Sequence, residues 1–64
     1  MLIEFISNGS GKMTAMSFVN DFHVDFNSKI LSVFNAEQKC YKQIPFDHCS
    51  VNRLGNLEVR GDFN

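Results

Sequence analysis

Turn-forming residues recur along the whole chain at intervals of about 8 to 12 residues. Clusters built on Asn, Gly, Ser, Asp or Pro occur at residues 8–11, 20–21, 27–29, 35–38, 45–48 and 55–56. Asn tolerates left-handed backbone and can hydrogen-bond its own turn, and Gly adopts that backbone without a steric penalty. This spacing is typical of a small all-β protein.

The length of the chain leaves room for one domain. A chain of about 60 residues buries only about 60% of the surface that its unfolded form exposes, so its core is thin. The hydrophobic content of 44%, with seven Phe, argues against disorder. We therefore expect a single domain, residues 1–64, folded as a small antiparallel meander or barrel-like sheet of about five to seven short strands.

The clearest strand in the sequence is the segment 22–26, in which apolar and polar residues alternate. Its apolar residues Phe22, Val24 and Phe26 share one face, as side chains two positions apart do in a strand. The alternation predicts that these three side chains form the centre of the core.

Two hairpins are predicted at the ends of the chain. Residues 1–7 and 12–19 can pair across a Gly-rich turn with Ile3 beside Met16. Near the C-terminus, residues 51–54 and 57–60 are separated by Gly55 and Asn56, which predicts a two-residue hairpin turn.

Self-association is predicted from the N-terminal strand. Residues 2–6 carry a single charge, Glu4, and no proline, so this strand is the less protected candidate edge. Closed two-fold pairing is the commonest way for identical subunits to cover such an edge. We therefore expect a homodimer.

The segment 28–43 fits two structures. Wound as a helix, it places Ile30, Val33 and Phe34 on one side, with Ser28 as the N-cap. As strands it becomes residues 30–34 and 39–44, joined by a four-residue turn. We favour the strands and keep an α+β fold with one helix near 28–43 as the alternative.

Residues 7–14 resemble the phosphate-binding loop of nucleotide-hydrolysing enzymes. That loop needs the pattern G-x-x-x-x-G-K-[ST], in which Gly-rich backbone and a Lys hold phosphates and a hydroxyl binds magnesium. Here Ile6 occupies the first glycine position and Met13 the hydroxyl position. We therefore predict a Gly-rich hairpin turn and no nucleotide cofactor.

The soft metal ligands other than methionine are His23, Cys40, His48 and Cys49. His48 and Cys49 are adjacent and would point to opposite faces of a strand, and the sequence contains no C-x2-C pair. We predict no metal site, reduced thiols and a cytoplasmic protein, although a processed secreted chain would show the same cysteine pattern.

Charge is nearly balanced, with a net charge of −1, but residues 39–60 carry two Lys and two Arg against two acids. A partner-binding surface is predicted from the basic residues of this segment and from the two aromatic residues that we expect to be exposed. These residues are Lys39, Tyr41, Lys42, Phe46, Arg53 and Arg60.

The function predicted from these features is binding without catalysis. The sequence shows no assembled set of catalytic groups and no site for a cofactor. We expect a small protein that binds another protein as an inhibitor, adaptor or accessory factor, and its composition would suit a short reading frame of a phage or mobile element. The alternative is a small β-barrel that binds nucleic acid through the basic segment 39–60.

Overall fold

The computed structural model of the protein describes residues 1–63, which form seven strands and no helix. The prediction of a small all-β fold is confirmed. The strands are β1 (Leu2–Ser7), β2 (Met13–Phe18), β3 (Phe22–Asp25), β4 (Ile30–Asn35), β5 (Cys40–Pro45), β6 (His48–Val51) and β7 (Leu57–Gly61).

The segment 28–43 contains strands, so the alternative with one helix near 28–43 is wrong. The β4–β5 turn explains this result. The Oδ1 atom of Asn35 accepts hydrogen bonds from the backbone N–H groups of Glu37 at 2.9 Å and Gln38 at 3.2 Å. Lys39 ends the turn in left-handed backbone, with φ of 52°. A side chain that bonds the backbone this way favours a turn over the continued helix.

The β3–β4 turn is built by the same rule. The Oδ1 atom of Asp25 accepts hydrogen bonds from the N–H groups of Asn27 at 2.9 Å and Ser28 at 3.2 Å, and Lys29 follows with φ of 58°. Hydrogen bonds from the Ser28 backbone and hydroxyl, followed by the Asn27 backbone, hold the pKa of the Asp25 carboxyl below its ordinary value. Two consecutive hairpins therefore share one local design.

The strands form two sheets. One has four strands in the order β2-β1-β7-β6, and the other has three in the order β3-β4-β5. The pair β1–β7 is parallel, from Ile3 opposite Leu57 to Ser7 opposite Gly61, and every other pair is antiparallel. β1 consequently lies inside its sheet. The prediction that residues 2–6 form an exposed edge is wrong, because β7 covers that edge within the monomer.

The β1–β2 hairpin has a different register from the predicted one. Ile3 lies opposite Ser17 and not opposite Met16. The register shifts between Phe5 and Ile6, where a bulge puts one extra residue into β2. A slip of one residue exchanges the two faces of a strand. Ser17 therefore shares the face of buried Ile3, and Met16 lies on the opposite face.

The β6–β7 connection consists of residues 52–56, so the prediction of a two-residue turn is wrong. Asn52 organises this loop. Its Oδ1 accepts hydrogen bonds from the N–H groups of Leu54 at 2.9 Å and Asn56 at 3.0 Å, and its Nδ2 donates to Glu4 at 2.9 Å. Leu54, predicted to lie in a strand, stands in the loop with its side chain 82% exposed.

The core lies between the two sheets and is mainly aliphatic. It comprises Ile3, Phe5, Leu31, Phe46, Leu57 and Val59. The predicted centre of the core is wrong: Phe22 and Val24 are partly buried at its margin, and Phe26 is 64% exposed. The short strand β3 forms the edge of its sheet, so it has a neighbour on one side only.

Phe46 joins the two sheets. It lies between β5 and β6, is only 6% exposed, and its N–H donates to the Lys29 carbonyl at 3.0 Å. The ring of Phe26 meets it edge-on at 6.4 Å. Gly61 allows the Phe46 backbone and the Phe63 ring to lie close to β7, because a Cβ at position 61 would lie 3.3 Å from the Phe46 Cα and 3.0 Å from the Phe63 ring. The prediction that the Phe46 side chain is exposed is wrong.

Leu31→Ala is expected to destabilise the protein by about 2–5 kcal/mol, which is comparable with the whole stability of so small a domain. The reason is that Leu31 is completely buried, so truncation leaves a cavity. The matched change Leu54→Ala, at an exposed position, should alter stability by about 0.5 kcal/mol or less. Urea denaturation followed by circular dichroism measures both, and equal losses would contradict this core.

Lys39→Gly is expected to stabilise the protein by about 1 kcal/mol, because Lys39 occupies left-handed backbone that glycine adopts without strain. Lys29→Gly should act in the same direction, since Lys29 has the equivalent conformation. The control Lys42→Gly lies within β5 and should destabilise. Thermal unfolding compares the three variants, and a lower melting temperature for Lys39→Gly would contradict the expectation.

Candidate interaction surface

The basic residues predicted as a binding surface lie on different parts of the molecule. Lys39 immediately precedes β5 of the three-stranded sheet, and Lys42 lies within β5. Arg53 is in the β6–β7 loop, and Arg60 is in β7. Arg60 alternates with buried Val59 and so lies on the outer face of the four-stranded sheet. The two lysines thus belong to the three-stranded sheet and its turn, and the two arginines belong to the four-stranded sheet and its loop.

Tyr41 is exposed, as predicted, but its hydroxyl already has a partner within the chain. The Tyr41 hydroxyl donates to the carboxylate of Asp21, with both oxygens at 2.9 Å, and its ring meets Phe34 edge-on at 5.4 Å. The hydrogen bond to Asp21, followed by desolvation and the charge of Asp21, raises the pKa of Tyr41. Tyr41 therefore ties the end of the β2–β3 connection to β5.

Strand β2 forms one edge of the four-stranded sheet and is exposed at all six of its residues. Its sequence, MTAMSF, contains no charged residue and no proline. Met13, Met16 and Phe18 share the outer face, and the Met16 and Phe18 side chains are 55% and 74% exposed. An edge strand carries unpaired backbone N–H and C=O groups along its free side. β2 therefore combines free backbone groups with exposed apolar side chains.

The other three edge strands are shorter or better protected. β3 and β6 have four residues each, and β3 ends in Asp25. β5 has six residues but includes Lys42 and Pro45. Charge, proline and short length are the common means of preventing strand addition. Among the four edges, β2 is the long one without charge or proline.

An open cleft of about 610 Å³ separates β2 from β5. We call it the β2–β5 cleft. Its lining is mostly apolar, and Lys42 is the one charged residue among its described lining residues. These residues are Phe5, Ala15, Ser17, Val19, Val33, Lys42, Gln43, Ile44, Pro45 and Phe63.

The Gly-rich segment 7–12 forms a hairpin turn, as predicted. The Ser7 N–H donates to the Lys12 carbonyl at 3.0 Å, the Gly11 N–H to the Ser7 carbonyl at 2.8 Å, and the Lys12 N–H to the Ser10 hydroxyl at 3.2 Å. A phosphate-binding loop directs such N–H groups at its ligand. Here these three groups bond within the turn.

The histidines and cysteines are divided between the sheets. His23 and Cys40 lie in β3 and β5, and His48 and Cys49 in β6. Within residues 1–63, no three His, Cys, Asp or Glu side chains come together as metal ligands. Both thiols are free, and burial raises the pKa of the Cys49 thiol.

Sequence reasoning missed β2 as a surface, although one signal was present. Residues 13–18 carry no charge, whereas each of the other long strands contains a charge or a proline or lies inside its sheet. The position of β2 at an edge was the missing information, since it depends on the β1–β7 pair.

Compared with known protein families, curated proteins and solved structures, the chain matches none. Among residues 1–63, no helix has the length and apolar character needed to cross a membrane.

Asp21→Asn is expected to lower the pKa of Tyr41 toward its ordinary value of 10.0, because it removes the carboxylate that favours the protonated phenol. A raised pKa in the folded state stabilises the protein below the unfolded pKa, and this stability disappears as pH rises through the folded value. Tyrosinate absorbance reports Tyr41 alone, since the chain has one Tyr and no Trp. Asp25→Asn is the control and should leave this titration unchanged.

Proposed function

We propose that this protein is a non-catalytic binding protein that holds another protein through β2 by strand addition. The observation that carries the proposal is the exposure of β2: six edge residues without charge or proline, with three apolar side chains on one face. Extended segments of other proteins bind such edges through main-chain hydrogen bonds, while side-chain contacts give specificity.

Apolar side chains on this edge strand add to the free energy of strand pairing. Backbone pairing alone exchanges hydrogen bonds with water for hydrogen bonds with a partner, and its net gain per bond is about 1 kcal/mol. Burial of apolar side chains adds about 25 cal/mol for each Å² removed from water. Met16 and Phe18 supply such surface next to the free backbone groups of β2. Both contributions are available at the same place.

The proposal assigns the protein a role as inhibitor, adaptor or accessory factor in the cytoplasm, and an origin in a phage or mobile element stays a prediction. A homodimer also stays a prediction, and since β1 is central, it would form through an edge strand such as β2. Nucleic acid is a less suitable partner. Lys42 lines the cleft, Arg60 lies on the outer face of the other sheet, and the net charge is −1.

Met16→Lys is expected to weaken partner binding by about tenfold or more, because it places a charge within the apolar surface that the partner would bury. The measurement is affinity capture from a lysate of the source cells, quantified by mass spectrometry. Val51→Lys is the matched control, since Val51 is an exposed apolar residue on the opposite edge of the same sheet. Thermal unfolding verifies that both variants fold.

Two results of the capture experiment would contradict the proposal. If Met16→Lys retains its captured proteins while Val51→Lys loses them, β6 is the binding edge and the proposal is wrong. If both variants retain them, neither edge of the four-stranded sheet binds the partner, and the proposal fails as well.

A further inference from the structure

We infer that the segment that binds β2 is an extended stretch of about six residues, the length of β2, with apolar residues on both of its faces and one carboxylate that meets Lys42. This inference rests on the proposed function, because it specifies the partner of the same edge. It follows from what lies on the two sides of β2.

A strand added to β2 would place its own side chains alternately on two faces. One face would lie over the β2–β5 cleft, whose apolar lining includes Phe5, Val33 and Ile44. The other face would lie beside Met16 and Phe18 on the outer surface. Both faces of the added strand would therefore contact apolar surface. Apolar side chains on the outer face of the added strand would form cross-strand pairs with Met16 and Phe18, so apolar residues are favoured on both of its faces.

The cleft is open because the inward residues of β2 are small. Ala15 and Ser17 lie on its cleft side, opposite Phe5 and Ile3 of β1. Neither side chain is large enough to reach across and fill the space between the sheets. Side chains of a partner strand can enter here and cover the exposed part of the core.

Lys42 supplies the charge complementarity. It lies opposite Val33 in the β4–β5 pair, and both residues line the cleft. As the one charged residue among the described lining residues, it favours a single carboxylate at the corresponding position of the partner.

A second copy of this chain fits the cleft poorly. The β2 strand of a second copy has small residues, Ala15 and Ser17, on one face, and these would leave the cleft unfilled. Residues 2–6 do have the required pattern, with apolar residues on both faces and one acid, Glu4. That segment is β1, which is already paired on both sides, with β2 and β7. We therefore assign the site to a different protein.

Three fluorescein-labelled peptides with polar ends test this inference by fluorescence anisotropy with the full chain. The first has five apolar residues and one glutamate in its central six positions, the second alternates valine and serine, and the third replaces the glutamate of the first with lysine. We expect the first to bind at least about tenfold more tightly than the second. The third should bind several-fold more weakly than the first at low salt, and Lys42→Glu should reverse the order of the first and third.

Ala15→Phe fills the cleft from within and should weaken binding of the first peptide by about tenfold or more. Ser50→Phe is the matched control, because Ser50 is an exposed small residue on β6, the other edge strand of the same sheet. Thermal unfolding verifies that both variants fold. An unchanged affinity in Ala15→Phe, or equal affinity for the alternating peptide, would overturn the inference.

Two further outcomes separate this inference from the proposed function. If none of the peptides binds while Met16→Lys still abolishes capture from lysate, β2 is a binding edge for a partner of other chemistry, and the inference alone is wrong. If sedimentation equilibrium shows a dimer that Met16→Lys dissociates, a second copy occupies β2 and the inference is likewise wrong.

Discussion

The parallel pairing of β1 with β7 is the interaction on which the rest of the structure depends. It joins the first and last strands of the chain and places Ile3 and Val59, both completely buried, at the centre of one sheet. Parallel strands need a long connection. Here that connection includes the whole three-stranded sheet, which packs Leu31 against the same core. This one pairing thus fixes the centre of the core, the order of the strands in the four-stranded sheet, and its two edge strands, β2 and β6.

The distribution of the phenylalanines shows that a chain of this size buries only some of its aromatic side chains. Phe5 and Phe46 are buried because they lie between the sheets, on β1 and on the segment that crosses from β5 to β6. Phe18 and Phe26 lie at an edge strand and beside a hairpin turn, where no further layer covers them, and both are largely exposed. Contiguous exposed apolar surface marks interaction sites, whereas single exposed apolar residues are ordinary. Phe18 belongs to the edge strand β2 and shares its outer face with exposed Met16.

The unprotected edge and the open cleft have a common origin. β2 is held only by β1, and its inward residues Ala15 and Ser17 are small, so the space between β2 and β5 stays open. β5 on the far side is protected by Lys42 and Pro45. An added strand would therefore be directed to β2 for its backbone pairing, and to the cleft for burial of its side chains.

The sequence by itself determined the features that depend on a few neighbouring residues. Asp25 and Asn35 close their hairpins with hydrogen bonds to N–H groups two and three residues ahead, so the turns and the strands between them could be predicted from composition and spacing. The all-β class and the Gly-rich hairpin followed in the same way. The five-residue loop at Asn52 was not predicted, and Asn52 is also held by a hydrogen bond to distant Glu4, which no local pattern reveals.

Only the tertiary structure decided which strands are central, which faces are buried and which edge strand is left without charge or proline. Alternation within residues 22–26 correctly predicted a strand, but β3 lies at the edge of its sheet, so Phe22 and Val24 pack at the margin of the core. The bulge in β2 exchanged the faces predicted for Met16 and Ser17, and no local pattern marked it. The physical reason is that β1 can pair equally well by local sequence criteria with several strands. The choice of β7 is made by the apolar surface that this long-range pairing buries.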